Sequence, residues 1–346
     1  MACTNLYNEL YSFRNLELAY RKARKNKRCK RAVQEFEFNL EQNLLQLKHE
    51  LETESYASRP LKQFVIRDPK TRTISASHFR DRVIHHALCN IIQPIFEKSF
   101  INDSCANQVG KGSGKALERF DVFKRKMSEN GRTVNKPVNN STVIGYVLKA
   151  DIRHYFDTVD HNILLAIIQN KIKDSKIINL IKKILGNHNT SGKGMPLGNL
   201  TSQFFANVYL GELDYFVKHR LRVRYYIRYV DDFVILHKSR KILEAYKKQI
   251  KEFLESLKIR LHPDKSRIYP LHKGTEFLGF RVFYYHKLIK RSNMRRIRKR
   301  LLEFKSIWGN DKELDQKILR SIDGWCAYAM QGDTYNLRGQ ITKSFT

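Results

Sequence analysis

Apolar residues recur at helical spacing along much of the N-terminal part of the chain. RAVQEFEFNLEQNLLQLKHEL repeats them every three or four positions, at Val33, Phe36, Leu40, Leu44, Leu47 and Leu51. This period predicts an amphipathic helix with one core-facing stripe, and it assigns residues 1–59 to a helical N-terminal extension. RDRVIHHALCNIIQPIF predicts a second helix of this kind, with Val83, Ile84, Leu88 and Ile91 facing inward.

Alternating apolar and polar residues mark short strands between the helical stretches. KQFVIRD and TRTISA alternate like the two arms of a hairpin, with DPKT as the turn. GYVLKAD predicts a strand that ends at Asp151, and RVRYYIRYVDDFVIL predicts a hairpin around Asp231 and Asp232. The polar segment NGRTVNKPVNNST predicts a surface loop. Strands mixed with helices in this way indicate an α+β fold.

Helical spacing returns after Asp151 and again near the C-terminus. HNILLAIIQNKI, SKIINLIKKIL and the apolar TSQFFANVYLGELDYFV each predict a helix. NMRRIRKRLLEFKSIW predicts a basic helix. We expect this last helix to open a small helical domain at the C-terminus.

The chain carries a large excess of positive charge. Lys and Arg number 65 against 34 Asp and Glu, which gives a formal net charge of +31. Such a chain repels itself unless a polyanion neutralises it, so we expect nucleic acid, an anionic membrane surface or an acidic partner. No run of about 18 apolar residues predicts a membrane span. Basic residues interleaved with aromatics, as in RYYIRYV, favour a nucleic-acid groove.

The N-terminus and the cysteines indicate a cytoplasmic protein. MACTNLYNEL lacks the basic and apolar segments of a secretory signal. The five cysteines are scattered and form no CxxC pair, so neither a zinc site nor a disulfide framework is expected. A reducing compartment suits this pattern.

Three carboxylates stand where the predicted strands end or turn. Asp231 and Asp232 lie together in YVDD, and Asp151 ends YVLKAD. A solvated turn would be the simpler interpretation of YVDD, but carboxylates embedded in apolar β sequence are costly without a cation. Nucleotidyl transfer uses two divalent ions about 3.5–4 Å apart, and hard cations such as Mg²⁺ prefer oxygen ligands. The three aspartates suit that chemistry.

Several further motifs precede and follow these aspartates in a fixed order. DIRHYFD begins at Asp151, YVDD follows with Asp231 80 residues later, and HPDKS and FLGF come next. RDRVIHHAL and NQVGKGSGKAL lie upstream. The series, over roughly residues 60 to 345, resembles the fingers and palm motifs of reverse transcriptases. The resemblance implies a right-hand polymerase with fingers at 60–145, an antiparallel palm at 146–284 (with part of the fingers at about 160–200) and a helical thumb at 285–346.

The resemblance also implies roles for individual residues. Asp151, Asp231 and Asp232 would be the catalytic ligands of two Mg²⁺ ions, for which Mn²⁺ can substitute. Ile152 would add a backbone carbonyl to the metal site. Phe156 matches the aromatic gate that leaves no room for a ribose 2′-hydroxyl and so selects deoxynucleotides.

Basic residues and glycines extend the implied contacts with substrate. Arg72 resembles the fingers arginine that contacts the incoming triphosphate, with Lys62 and Arg67 as weaker candidates. Lys265 in HPDKS matches a palm lysine near the primer terminus or the nucleotide. The implied template and primer contacts are Gly110, Lys111, Gly112, Tyr229, Arg295, Arg296 and Lys299. Each of the basic residues could equally be a solvated surface charge.

One segment departs from the accurate enzymes of the superfamily. Where they carry Gln-Gly and then Ser-Pro, this chain has MPLGNLTSQ, with Leu197 at the Gln position, followed by Gly198, and Gln203 at the Pro position. This form resembles reverse transcriptases of diversity-generating retroelements, on the group II intron-like branch. The resemblance implies error-prone copying of a template RNA, with errors concentrated at adenines, and transfer of the cDNA into a target gene. It also implies a small basic accessory protein that forms a pentamer.

Two other kinds of protein stay open on the sequence. A group II intron-like or defence-associated bacterial reverse transcriptase would share the aspartates, although Leu197 and Gln203 speak against the intron type. A non-catalytic RNA-binding scaffold would share the fold, but it has no need of several unneutralised carboxylates.

Overall fold

A computed structural model of the protein describes residues 6–67, 70–134, 142–188, 191–309 and 311–343. Half of the predicted DPKT turn and most of the predicted loop at 130–142 lie outside these residues. The chain divides into two compact units. The first unit comprises residues up to Asn107, Ile152–Arg222 and Ile250–Leu261, and the second comprises Gln108–Asp151, Val223–Gln249 and His262 onward.

Helices and short strands alternate along the chain. The helices are α1 Leu6–Leu10, α2 Phe13–Arg24, α3 Arg31–Phe38, α4 Leu40–Glu52, α5 Phe79–Glu97, α6 Ser113–Met127, α7 Tyr155–Thr158, α8 His161–Gln169, α9 Ser175–Gly186, α10 Leu200–Tyr215, α11 Arg240–Ser256, α12 Arg291–Ile307, α13 Lys312–Ala329 and α14 Tyr335–Thr342. The strands are β1 Lys62–Ile66, β2 Arg72–Ala76, β3 Thr133–Val134, β4 Thr142–Val143, β5 Tyr146–Asp151, β6 Tyr226–Tyr229, β7 Asp232–His237, β8 Arg267–Pro270, β9 Thr275–Phe277, β10 Phe280–Val282 and β11 Lys287–Ile289. The predicted α+β fold is confirmed.

Helix α5 lies at the centre of the first unit. It packs against α1, α2, α3 and α10. Of the residues predicted to face inward, Val83, Ile84 and Leu88 are buried. Ile91 is not fully buried, and its neighbour Ile92 is buried instead. The single helix that we predicted upstream is broken at Asn39, which ends α3 and begins α4. Asn favours helix ends because its side chain competes for backbone hydrogen bonds.

The hairpin β1–β2 belongs to the first unit and is largely exposed. Lys62 pairs with Ala76 and Ile66 with Arg72. Every residue of β1 is exposed, and β2 is buried only at Ser75. The hairpin is therefore held near its base, and the end that carries Arg72 is exposed to solvent.

An antiparallel sheet forms the core of the second unit. Its strands lie in the order β6-β7-β5-β8, and α6 packs against β6 and β7. The rings of Phe123 on α6 and Tyr225 lie 5.3 Å apart at this contact. Strand β5 is an inner strand, so its last residue, Asp151, lies beside β7.

The C-terminal helices of the second unit follow a small three-stranded sheet, β11-β10-β9. Ile318, Ile322 and Ile341 form a buried cluster, against which Phe304 and Trp308 pack. In the part of the chain that the structure describes, no helix is both long and apolar enough to cross a membrane.

Candidate active site

A tight hairpin in the second unit presents two adjacent aspartates. Val230 and Asp231 connect β6 to β7, and Tyr229 pairs with Asp232 across the turn. Val230 has φ +55°, a region that β-branched residues rarely adopt, and such strain costs on the order of 1–3 kcal/mol. The fully buried Arg228 donates from Nη1 to the Val230 carbonyl at 3.1 Å. This bond helps to hold the turn in its strained conformation.

The strand register brings the third aspartate to this hairpin. Strands β5 and β7 are antiparallel, and Asp151 lies directly opposite Asp232. Side chains of directly opposed residues project from the same face of the sheet, with Cβ atoms about 4.5–5.5 Å apart. Two carboxylates 81 positions apart in sequence (232 − 151) are therefore neighbours.

Burial gives the Asp232 carboxyl an unusual ionisation. Its side chain is 21% exposed. Burial raises the pKa of Asp232 to about 7; the Lys149 ammonium opposes this rise, and the charges of Asp151 and Asp231 add to it. A solvated turn would show none of this, because water would screen the three charges. The burial of Asp232 Oδ1 speaks against a solvated turn at this position.

Two lysines accompany the carboxylates. Lys265 Nζ lies 3.0 Å from Asp151 Oδ1, and Lys149 Nζ lies 3.6 Å from Asp232 Oδ2. Lys265, which we expected at the nucleotide, thus contacts a carboxylate in this structure. The sequence interpretation missed Lys149. Strand alternation could have found it, because residues i and i+2 share a face and Lys149 stands two positions before Asp151.

The carboxylates offer oxygen ligands for a divalent cation. Among the described residues, no three His, Cys, Asp or Glu side chains converge into a ready ion cage. Asp232 Oδ1 is nevertheless buried and has no hydrogen-bond partner within the described chain. A buried carboxylate oxygen without a partner, next to a second carboxylate, suits a hard cation. The side chains therefore fit a divalent metal ion.

The backbone beside Asp151 is firmly held. The Asp151 carbonyl accepts from the His262 N–H at 2.7 Å, and the Ser266 hydroxyl lies 3.4 Å from the same oxygen. Ile152, the next residue, belongs to the first unit, where its side chain is buried and it forms a β-bridge with Leu261. Its role as a carbonyl ligand remains a prediction.

The residues expected to select the nucleotide lie in the first unit. Leu197 is half-buried, and Gln203 is exposed on the first turn of α10. The Leu197 carbonyl accepts from the Ser75 N–H at 3.0 Å, which joins this segment to β2. The Phe156 carbonyl accepts from the Met195 N–H at 2.7 Å. Backbone hydrogen bonds thus join Phe156 to Met195 and strand β2 to Leu197.

The basic residues of the hairpin do not lie together. Arg72 begins β2 and pairs with Ile66, so it stands next to the loop end, as does Arg67. Lys62 pairs with Ala76 at the opposite end of the hairpin. Arg67 is therefore the better placed companion of Arg72.

The expected template and primer contacts lie in the second unit. Gly110 has φ +74° in a turn that leads to α6, with Lys111 and Gly112 next to it. Lys111 Nζ donates to Gln108 at 2.9 Å. Tyr229 is half-buried on β6. Arg295, Arg296 and Lys299 are exposed on α12. These contacts remain predictions.

Comparison with known proteins decides the family. Residues 66–282 match the family described as "Reverse transcriptase (RNA-dependent DNA polymerase)". The chain belongs to this family. The expected RNA-directed DNA polymerase is therefore confirmed at the level of the family, and membership implies dependence on divalent metal in general.

Individual relatives match about two thirds of the chain. Protein YkfC of Escherichia coli (strain K12) is 26% identical over 278 residues, which cover 68% of this chain and 70% of YkfC. The group II intron-encoded protein LtrA of Lactococcus lactis subsp. cremoris is 24% identical over 315 residues. That match covers 70% of this chain but only 50% of LtrA, so this reverse transcriptase spans about half the length of that relative.

A solved structure supports the right-hand polymerase fold. Apo telomerase from Candida tropicalis, truncated from the C-terminal domain, matches with a TM-score of 0.51 at 13% identity. The match covers 70% of this chain and 59% of the telomerase chain. The similarity concerns the fold alone, and it confirms the predicted architecture.

Proposed function

We propose that this reverse transcriptase copies a template RNA into error-prone, adenine-mutagenic cDNA that diversifies a target gene, as in diversity-generating retroelements. Asp151, Asp231 and Asp232 would hold two Mg²⁺ ions. The observation that supports the catalytic part is the pairing of Asp151 with Asp232. The buried Oδ1 of Asp232 has no hydrogen-bond partner among the described residues. The Leu197 and Gln203 substitutions carry the mutagenic part.

The chain's own residues divide the catalytic work. When bound, a pair of divalent ions supplies activation of the primer 3′-hydroxyl and neutralisation of the triphosphate. The aspartates hold the ions, and Lys149 and Lys265 limit the excess negative charge around them. Phe156 would exclude a 2′-hydroxyl, and Arg72 would orient the triphosphate with its planar guanidinium.

Leu197 offers a physical reason for low fidelity. A Gln at this position can hydrogen-bond near the nucleotide and help to fix its pose, whereas Leu offers only packing. A mismatched nucleotide then meets a smaller geometric penalty. The half-buried position of Leu197 leaves part of its side chain available for such packing.

Primer extension on a defined RNA tests both parts of the proposal. With Mg²⁺ or Mn²⁺, the wild-type chain should extend a DNA primer, and the sequenced cDNA should carry errors clustered at template adenines. Failure to extend with either ion, for folded protein that binds RNA, would favour a non-catalytic RNA-binding scaffold. Extension with errors spread evenly over the four bases would remove the mutagenic role and keep the polymerase.

The proposed partners follow from the same function. They are the template RNA, the primer or cDNA strand, dNTPs and a small basic accessory protein that forms a pentamer. The net charge of +31 favours a polyanion among them. We also propose a division into an extension at 1–59, fingers at 60–145, a palm at 146–284 (with part of the fingers at about 160–200) and a thumb at 285–346.

A group II intron-like reverse transcriptase is the second candidate. The 24% identity to LtrA over 70% of this chain favours it. It would also account for the aspartate site. Accurate copying of adenines by the wild-type chain would select this candidate.

A further inference from the structure

A buried cluster of neutral polar side chains belongs to the Leu197–Gln203 segment of the first unit and to the residues at the end of β2. Five of its members are at most 3% exposed: Ser75, Ser77, Asn199, Thr201 and Ser202. Buried polar groups are costly unless they are hydrogen-bonded. The bonds that they make therefore show which parts of the unit the cluster holds together.

Asn199 ties strand β2 to the start of α10. Its Oδ1 accepts from the Ser77 N–H at 3.1 Å and from the Ser77 hydroxyl at 2.8 Å. Because a backbone N–H can only donate, these bonds fix which end of the amide faces Ser77. The Ser75 N–H donates to the Leu197 carbonyl at 3.0 Å. Ser75 on β2 and Ser77, the first residue after β2, are thus bound to Leu197 and Asn199.

The Asn199 side chain does not cap its own helix. Asn199 is the N-cap of α10, where an Asn oxygen normally accepts from an N–H of its own helix. It makes no such capping bond within the described chain. The oxygen is used instead on Ser77, 122 positions earlier. Helix stability alone does not account for this choice, because an N-cap that faced its own helix would serve it better.

Gly198 allows the same two segments to approach closely. It has φ +109°, and a Cβ there would lie 2.8 Å from Ile74 Cγ2 on β2. A side chain at this position would push β2 away and strain the backbone. Packing at Gly198 and hydrogen bonding at Asn199 therefore hold β2 at one distance from Leu197.

The exposed hairpin depends on this attachment. Strand β1 is exposed throughout, and β2 is buried only at Ser75. Arg72 lies three residues before Ser75, on the exposed side of it. A shift at the base of the hairpin would move Arg72 together with the loop end.

We propose that Asn199 is a positioning residue for nucleotide selection, which holds β2 and Arg72 in a fixed relation to Leu197. This inference rests on the proposed function, in which Arg72 and Leu197 contact the incoming nucleotide. Asn199 acts through Ser77 and need not touch the substrate. Loosening the attachment should therefore weaken nucleotide binding more than it slows the chemical step.

Single-nucleotide incorporation by the full chain tests the proposal. Asn199→Ala should raise the KM for the matched dNTP about tenfold, with kcat changed less than about twofold. Ser77→Ala loses the hydroxyl bond but keeps the backbone N–H bond, so it should raise the KM less. The double variant should be no worse than Asn199→Ala, because Asn199→Ala already removes both bonds. Asn199→Asp keeps the accepting oxygen and replaces only Nδ2, which has no partner among the described residues. Its KM for dNTP should stay within about threefold of wild type, whereas its thermal stability should fall because the change adds a charge to a buried neutral cluster.

Asn207→Ala is the matched control. Asn207 is equally buried on α10, and its Nδ2 donates to the Ala106 carbonyl at 2.8 Å, away from β2. This variant should lower thermal stability as Asn199→Ala does, without raising the KM for dNTP. Backbone hydrogen exchange over residues 72–77 should become faster in Asn199→Ala and Ser77→Ala, but not in Asn207→Ala.

The outcomes separate this inference from the function on which it rests. Unchanged exchange over 72–77 in Asn199→Ala would overturn it, as would equal KM values in Asn199→Ala and Asn207→Ala. Wild-type errors without an adenine bias would overturn the mutagenic function and leave the inference intact. A folded wild-type chain that made no DNA would overturn both.

Discussion

The two units build their functional segments from opposite kinds of side chain. In the second unit, three aspartates and two lysines are crowded at the end of one sheet. In the first unit, buried serines, a threonine and an asparagine form a neutral cluster in and next to the segment that begins at Leu197. The neutral cluster includes His85, whose Nδ1 lies 3.4 Å from the Thr201 hydroxyl. Burial lowers the pKa of His85 to about 3, with the charges of His86 and Arg82 adding to the effect.

This difference separates a site of crowded charges from a neutral one. Buried like charges destabilise a fold until a counter-charge arrives. A buried neutral cluster has no such repulsion between its members. We therefore expect removal of a charge from the second unit's site to raise the free energy of unfolding. Addition of a charge to the first unit's cluster should lower it.

Asp232→Asn should have the largest effect. The change removes a buried charge that interacts with Asp151, Asp231 and Lys149. Primer extension should fall by more than about 100-fold, because even residues that only support a metal ligand cost 10–100-fold in metal affinity or activity when replaced. The free energy of unfolding, measured without divalent ions at pH 8, should rise by about 1–2 kcal/mol.

The control for this change is Asp323→Asn, at an exposed position on α13. It should leave both primer extension and unfolding close to wild type. Loss of activity together with loss of stability in Asp232→Asn would contradict the comparison, because it would mean that the carboxylate supports the fold.

The charged site could be predicted from the sequence in large part. Carboxylates in apolar β sequence are conspicuous, and strand alternation would have added Lys149. The sequence does not give the register that sets Asp151 against Asp232, because register depends on pairing between strands distant in the chain. The neutral cluster was not predicted at all. Asn199 before a helix is typical of an N-cap, so its bond to Ser77 leaves no trace in the sequence.

Leu197→Gln should have a smaller effect, on fidelity. The added amide can hydrogen-bond near the nucleotide, so a mismatch should meet a larger penalty. We expect the error frequency at template adenines to fall about tenfold, while the rate of matched incorporation changes little. Sequencing of cDNA from one defined RNA measures both quantities.

A matched control uses the same change at a surface position. Leu45 is 48% exposed on α4, and Leu45→Gln should leave the error spectrum unaltered. An unchanged error spectrum in Leu197→Gln would show that the absence of an amide at position 197 does not cause the low fidelity.

Acid should destabilise the first unit through His85. In the unfolded chain this histidine binds a proton near its ordinary pKa of 6.5, whereas in the folded chain it resists protonation until about pH 3. The stabilisation is therefore complete above pH 6.5 and is lost as the pH falls toward 3. His85→Gln cannot take up this proton and keeps an amide next to Thr201. Between pH 6.5 and 5.5, wild type should lose about 1 kcal/mol more unfolding free energy than the variant.

Denaturant unfolding at stepped pH values measures this difference. His49→Gln, at an exposed position on α4, should follow the wild-type curve because its ring is not buried in the cluster. The partly buried His86 remains in all three chains, so its own titration cancels from the comparison. Parallel curves for wild type and His85→Gln would show that the cluster tolerates a charge. The first unit would then resemble the second, and the contrast between a neutral and a charged functional segment would fail.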